Sequence, residues 1–519
     1  MKDGYTWLGI EIFMARIPIL SFDRGTLVLH PPPKAKSWMD YATWDDRIEK
    51  FRIPAIHYTE LLAGLKQEQS SINNQASNYT GLKLEASLPL KPYPHQQEAL
   101  QAWQAAGKRG VVVLPTAAGK TYLALMAMET TPFSTLIVVP TLDLMHQWYT
   151  RLLATFPTAE VGLLGGGSRD QTSILVSTYD SAAIQAESLG NRYGLVIFDE
   201  CHHLPTDFYR VIAEFAIAPY RLGLTATPER TDGKHEDLEI LIGTEVYRKR
   251  AEDLMGGALA DYRTEQILVK LTPEERENYN QLIKTRNEFL QESKIFLSSL
   301  EGWQQFVMAS GRSSAGRRAM LAHRKSKEIA FGTEGKIRVL IDILGRHYPS
   351  QTLIFTTDNA TVYRISQELL VPALTHQTPV KERHEILDKF REGIYKVLVA
   401  SHVLNEGVDV PEASIAVILS GTGSEREYIQ RLGRILRRSS DPNKQAILYE
   451  VVAEQTSEEG TADRRKGSLS KPEIKSPKLR QLELLPSKTN PEIGYSTQAP
   501  PQKIAAEKSN PWQEDNDKF

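Results

Sequence analysis

What most constrains this chain is a pair of blocks of short, β-branched apolar runs, each run ending in polar or glycine-containing residues. The first block reads Val111–Leu114, Leu136–Val139, Ile174–Ser177, Leu195–Phe198 and Leu222–Leu224. The second reads Thr352–Phe355, Lys396–Ala400, Ile415–Leu419 and Ala446–Tyr449, with a weaker run at Ala373–Thr375. Near-continuous apolar strands separated by helical stretches predict parallel sheets covered on both faces. Such sheets bind ligands at the carboxyl ends of their strands. Two tandem α/β domains are therefore expected, over residues 86–255 and 336–455.

The flanking regions read differently. Residues 1–85 hold a strand-like Pro18–His30, a Pro31-Pro32-Pro33 break and a helical Tyr58–Gln67, which predict a small α+β domain. Residues 256–335 are expected to form a helical insertion, with Thr272-Pro273-Glu274-Glu275 supplying an N-cap, a proline and first-turn acids. From Thr456 the chain is rich in Ser, Pro, Lys and Glu. Few large apolar residues there can offset ordering entropy, so 456–519 is expected to be a disordered tail.

Composition narrows the function only by exclusion. The formal net charge is −2, so nucleic acid, if bound, must be held by local patches and backbone donors and not by bulk charge. No apolar stretch approaches the roughly 20 residues of a membrane span. The run Trp7–Leu20 is interrupted by Glu11 and Arg16 and makes a poor signal peptide. The single cysteine, Cys201, excludes an intramolecular disulfide and fits a reducing cytoplasm.

Chemistry enters at Leu114-Pro115-Thr116-Ala117-Ala118-Gly119-Lys120-Thr121, between a strand and the helical Tyr122–Met128. That setting predicts a phosphate loop, in which backbone N–H groups and a helix N-terminus cradle an anion. Lys120 is placed for the β- and γ-phosphates and Thr121 for Mg²⁺. Leu114 stands where the simple pattern has its first glycine. A second motif follows the strand Leu195–Phe198: Asp199-Glu200-Cys201-His202-His203. Two adjacent acids at the end of a buried strand are costly unless used. Asp199 is expected to hold Mg²⁺ and Glu200 to polarise the attacking water. His202 is read as a coupler to the second domain, and zinc lacks a second ligand pair of suitable spacing. Cys201 is read as a small buried filler.

Together these residues resemble the superfamily 2 DExH-type helicases, and further motifs appear in the family's order. Pro94-His95-Gln96 resembles the adenine-reading segment, with Gln96 as its contact. Pro140-Thr141 and Ser177-Thr178-Tyr179 stand where relatives grip the nucleic-acid backbone, and Thr225-Ala226-Thr227 where nucleotide state is linked to strand binding. Asn405-Glu406-Gly407-Val408-Asp409 is similar to the motif touching nucleic acid and ribose, implicating Gly407 and Asp409. Gln430-Arg431-Leu432-Gly433-Arg434-Ile435-Leu436-Arg437 resembles the arginine-finger motif. Arg434 and Arg437, three apart, share a helical face, and the resemblance makes Gln430, Arg434 and Arg437 catalytic.

Within that superfamily the likeness is to XPB-type DNA helicases and their bacterial relatives. Arg230-Thr231-Asp232 lies where that family has an Arg-Glu-Asp triplet implicated in strand separation; the glutamate is absent here. Phe22-Asp23-Arg24-Gly25-Thr26 and Trp44-Asp45-Asp46-Arg47 resemble its damage-recognition domain. Residues 256–335 would occupy the place of its thumb, whose basic cluster includes Arg317, Arg318 and Arg324. The resemblance implies two RecA-like domains, ATP and Mg²⁺ as cofactors, single-stranded or duplex DNA as partner, 3′ to 5′ movement and a role in DNA repair. A repair nuclease is a candidate partner that the sequence does not specify. Open at this stage are a duplex translocase that does not separate strands, an ATP-gated DNA clamp and an RNA helicase. Because the likeness begins near Arg16–Leu20, Met14 is expected to be the natural start.

Overall fold

The structure, a computed structural model, describes residues 17–230, 232–254, 261–297, 299–401, 413–421 and 445–466. Met14 lies outside them. The amino-terminal sheet contains β1 (Ile19–Asp23), β2 (Thr26–His30), β3 (Thr43–Asp45), β4 (Lys50–Pro54) and β5 (Asn73–Asn74), ordered β3-β4-β2-β1-β5. The expected single run Pro18–His30 is thus a hairpin. Arg24 at φ +48° and Gly25 at φ +82° make the two-residue turn whose twist suits paired strands. Leu20, Leu27, Leu29 and Ile53 face Tyr58, Leu61 and Leu65 of α1 (Tyr58–Gln67) in one small core.

The first lobe follows. Its elements are α2 (Pro94–Ala105), β6 (Arg109–Val113), α3 (Lys120–Glu129), β7 (Thr135–Val139), α4 (Leu142–Thr155), β8 (Val161–Gly165) and β9 (Ser168–Arg169). They continue with β10 (Ile174–Thr178), α5 (Tyr179–Ile184), α6 (Ala186–Leu189), β11 (Leu195–Asp199), α7 (Val211–Glu214), β12 (Tyr220–Thr225), α8 (Leu238–Leu241) and β13 (Glu245–Arg248). The sheet runs β13-β6-β12-β11-β7-β10-β8-β9 and is parallel except for the β8–β9 pair. Apolar clusters cover both of its faces, as the continuous apolar strands require. Arg221, fully buried on β12, donates to the carbonyls of Ala216, Ala218 and Leu241, satisfying backbone acceptors beside α7 and α8.

The second lobe begins earlier than expected. Asp261–Val269, placed by the sequence in a helical insertion, is a strand, β14. The insertion proper is α9 (Pro273–Glu292), α10 (Leu300–Arg312) and α11 (Ser314–Gly332), followed by α12 (Glu334–His347). Thr272 and Glu275 form the capping box of α9, and Glu275 also bonds Thr333 and the Glu334 N–H, tying that helix to the start of α12. Then come β15 (Thr352–Phe355), α13 (Asn359–Leu369), β16 (Ala373–Leu374), α14 (Val380–Arg391), β17 (Val397–Ala400), β18 (Ile415–Ile418) and β19 (Gln445–Ala453). All pairings in this sheet, β14-β19-β18-β15-β17-β16, are parallel.

The tail reading is corrected over its first residues, because Ser457–Lys466 is a helix. Its anchor is ionic. Lys336 of α12 is fully buried, and its Nζ donates to Glu458 Oε2 at 2.6 Å and to the Leu419 carbonyl at 2.6 Å. The same Glu458 oxygen accepts the Ala453 N–H at 2.9 Å. Removing one partner strands a charge in the interior. Lys336→Met is expected to destabilise the second lobe by about 3–5 kcal/mol, read as a lowered urea midpoint.

Among the insertion helices, His323 lies between Trp303 and Phe306, with Arg286 Nη1 3.5 Å from its Nδ1. Burial, then the like charges of Lys327 and Arg286, pull its pKa down to about 4. An unfolded histidine titrates near 6.5 and takes its proton first. The stabilisation from the neutral ring is therefore complete above that pH and is lost as pH falls from about 6.5 toward about 4. His323→Gln should lose less melting temperature than the unmodified protein between pH 7 and pH 5.

Candidate active site

Strand register brings the predicted motifs to one edge of the first sheet. Val113 at the end of β6 pairs with Thr225 at the end of β12, and Leu224 beside it pairs with Asp199 at the end of β11. Val139 at the end of β7 pairs with Thr178 at the end of β10. Since β11 lies between β12 and β7, the edge carries in order the phosphate loop, Thr225-Ala226-Thr227, Asp199-Glu200, Pro140-Thr141 and Thr178. The segments expected to bind nucleotide and those expected to grip the strand are neighbours across adjacent β-strands.

The phosphate loop turns through two left-handed residues, Ala117 at φ +68° and Gly119 at φ +83°, before α3 starts at Lys120. A β-carbon on Gly119 would stand 2.1 Å from Gln96 Nε2. Gln96 itself is buried. Its Nε2 donates to the Ala118 carbonyl at 3.0 Å, its Oε1 accepts the Tyr93 N–H at 2.9 Å, and His95 Nε2 lies 2.9 Å from the Ala118 carbonyl. The residue expected to read adenine thus braces the loop from behind, and a base contact by that amide would require those bonds to be exchanged. Pro115 and Ala118 are buried in the loop. Thr116 Oγ1 is buried without a hydrogen-bond partner, and a phosphate oxygen is the kind of acceptor that would complete it.

Lys120 Nζ donates to the Leu114 carbonyl at 3.3 Å and lies 3.7 Å from Glu200 Oε1. Glu200 sits at φ +48°, a strained conformation for a residue with a β-carbon, and its Oε2 is buried 3.5 Å from His202 Nδ1. Asp199 Oδ1 accepts the Glu200 N–H at 3.1 Å and Oδ2 the Trp148 Nε1–H at 2.9 Å. Burial, reinforced by the Glu200 charge, pushes the Asp199 pKa up to about 6, against the pull of Lys120 and the Trp148 bond. A divalent cation would reverse that shift, and Asp199 with Thr121, in the first turn of α3, fits a Mg²⁺ site on the chemistry of its donors. Cys201 is fully buried, and burial holds its thiol protonated well above the usual range.

His202, expected to couple to the second domain, contacts the third motif of its own lobe: its Nδ1 lies 3.0 Å from Thr225 Oγ1, which accepts the Thr227 N–H at 3.2 Å. Arg230 Nη1 donates to the His202 carbonyl at 2.7 Å, while its other nitrogens make a two-pronged pair with Asp232 at 2.9 and 2.6 Å. Arg230 and Asp232 are thereby joined to the nucleotide motif. Thr141 caps α4 by accepting the Leu144 N–H, and Thr178 caps α5 by accepting the Ser181 N–H. Arg317, Arg318 and Arg324 are exposed on α11. Gly407, Asp409, Gln430, Arg434 and Arg437, like Thr231, lie outside the described residues.

Sequence reasoning missed three connections. Trp148 reaches Asp199 across 51 residues, and the Tyr179 O–H donates to the Asp199 carbonyl at 3.1 Å. Asp143 on α4 accepts from Arg383 of α14 at 2.8 Å, with both side chains largely buried, and so joins the two lobes. Only the spacing of Trp148 on the buried face of α4, with Met145 and Leu152, hinted at any of them.

A phosphate loop and an acid pair on one parallel sheet, ionically joined to a second α/β lobe, define a nucleoside-triphosphate-hydrolysing motor. Residues 89–230 match the family described as type III restriction enzyme, res subunit; 20–76 match the xeroderma pigmentosum group B helicase damage recognition domain; and 335–439 match the helicase conserved C-terminal domain. The chain is 41% identical over 81% of its length to the DNA 3′-5′ translocase XPB2 of Sulfurisphaera tokodaii, covering 94% of that protein. It is 32% identical over 67% of its length to the DNA 3′-5′ helicase XPB of Mycobacterium tuberculosis, spanning 58% of that protein. The fold matches the helicase domain of Pyrococcus furiosus Hef at a TM-score of 0.51, with 20% identity, over 72% of this chain and 97% of that one. The chain belongs to the XPB-type family of superfamily 2 helicases.

Gly119→Ala meets both a left-handed backbone and the Gln96 amide, so nucleotide affinity should fall by at least about tenfold, measured by titration with a fluorescent ATP analogue.

Proposed function

We propose that this chain is an ATP-dependent DNA helicase that couples Mg²⁺-dependent hydrolysis to 3′ to 5′ movement on DNA and to its unwinding, in DNA repair. The observation that carries the reading is the shared sheet edge, where the phosphate loop, Asp199-Glu200 and the strand-gripping segments follow one another. The loop N–H groups and Lys120 hold the phosphates; Thr121 and Asp199 hold the metal. Bound Mg²⁺ supplies charge neutralisation at the phosphate oxygens. Glu200, oriented by Lys120 and close to His202, accepts the proton of the attacking water. His202 and Thr225 relay the state of that site toward Arg230 and Asp232. Gln96 keeps the loop in shape and is within reach of the base through rearrangement of its amide.

The family resemblance assigns Arg434, Arg437 and Gln430 of the second lobe to catalysis, and Gly407 and Asp409 to nucleotide contact. Such an arginine contributes roughly 10³–10⁵ in turnover in related systems. Nucleic acid is held at Pro140, Thr141 and Thr178 and by the exposed basic face of α11. Arg317, Arg318 and Arg324 have no ion-pair partner among the described residues, which suits phosphate contacts that release counterions. No helix among the described residues is long and apolar enough to cross a membrane. Cytoplasmic placement and work with a repair nuclease belong to the same proposal.

The test is ATPase rate against single-stranded DNA, duplex DNA and RNA, with strand displacement and triplex displacement measured in parallel. DNA-specific stimulation with strand displacement supports the reading; triplex displacement alone replaces unwinding by translocation, and RNA stimulation alone overturns the substrate. Glu200→Gln should bind ATP yet turn over roughly 10²–10⁴-fold more slowly. Arg434→Ala should retain ATP affinity and lose most of its DNA stimulation.

A further inference from the structure

Both segments expected to grip the strand reach the same acid. Thr141 caps α4, and two turns further along that helix the Trp148 indole Nε1–H donates to Asp199 Oδ2 at 2.9 Å. Thr178 ends β10, and the next residue, Tyr179, donates its O–H to the Asp199 carbonyl at 3.1 Å. Both rings are almost wholly buried. Asp199 Oδ1 is meanwhile fixed by the Glu200 N–H, so Trp148 sets the orientation of the remaining oxygen. The same helix carries Asp143, bonded to Arg383 of the second lobe at 2.8 Å, which makes α4 a three-way junction.

We propose that Trp148 and Tyr179 are positioning residues that pass strand engagement at Thr141 and Thr178 to the metal-holding Asp199. The inference rests on the reading of Asp199 as a Mg²⁺ holder. A buried donor bonded to a buried carboxylate has no water to replace it, so a displacement of α4 either drags the carboxylate with it or breaks the bond outright. Strand engagement that seats α4 and the start of α5 therefore sets both the carboxylate and its backbone. Partners of metal ligands typically change metal affinity or activity by about 10–100-fold when removed.

Tyr179→Phe deletes its donor and keeps the ring; Trp148→Phe deletes its donor and replaces the buried indole with a smaller aromatic ring. Three quantities separate positioning from packing: the Mg²⁺ concentration giving half-maximal ATPase, the affinity for a fluorescent ATP analogue in Mg²⁺ and in EDTA, and the factor by which DNA stimulates hydrolysis. Trp148→Phe should raise the Mg²⁺ half-saturation about tenfold, weaken analogue binding in Mg²⁺ but not in EDTA, and reduce the DNA factor. Tyr179→Phe should reduce the DNA factor with a smaller Mg²⁺ effect, and it tests the link by itself should the tryptophan variant fold poorly. Asp199→Asn is the reference. If it shifts the Mg²⁺ response while neither ring variant changes Mg²⁺ dependence or DNA stimulation, the link is overturned. If Asp199→Asn itself leaves the Mg²⁺ response intact, the metal assignment fails and the link falls with it.

Discussion

A carboxylate taken out of water is the constraint around which the first lobe is organised. Asp199 ends a strand buried on both faces, next to a second acid, and desolvation raises its pKa to about 6. Its surroundings answer that burden with the Trp148 N–H, the Glu200 N–H and the nearby ammonium of Lys120. Each comes from a different part of the chain: a helix, the neighbouring peptide and the phosphate loop. An acid so placed is a poor free anion and a good metal ligand, since a cation restores the charge that burial opposes. Geometry that looks expensive for an isolated protein is suited to one that works with a loaded nucleotide.

Much of this was legible before any coordinates. The strands of both sheets were readable because a strand covered on both faces must be apolar throughout, as Leu195–Phe198 and Thr352–Phe355 are. The phosphate loop and the acid pair were readable because their residue types recur at short spacing. What escaped was non-local. Asp261–Val269 opens with Asp-Tyr-Arg-Thr-Glu-Gln and becomes a strand only because β19, far along the chain, pairs with it at the edge of the sheet. Ser457–Lys466 has almost no apolar face, and the buried Lys336 that holds it is 122 residues away. The sequence singles out nothing at Trp148 and gives Tyr179 only a place in a strand-gripping segment, since only the register of helix over sheet shows what their polar ends touch.

The acidic balance of the whole chain conceals a local arrangement of cations with distinct duties. Lys120 faces the acids of the nucleotide site, Lys336 is locked in the interior, Arg383 spans the lobes, and Arg317, Arg318 and Arg324 remain turned to solvent on α11. A summed charge of −2 therefore says little about the faces that meet a phosphate backbone.

The parallel pairing of β14 with β19, together with the ion pair between Lys336 and Glu458, has a consequence for biogenesis. The amino-terminal sheet and the first lobe can close while the ribosome is still reading, because all their strands lie before residue 250. The second lobe cannot: the partner of its edge strand and the counter-ion of its buried ammonium follow every other described strand of that lobe in the chain. During translation Lys336 must wait, hydrated or chaperoned, until Glu458 leaves the exit tunnel. A nascent chain stalled before that point would carry a complete first lobe beside a second lobe still lacking its edge pairing and its buried counter-ion.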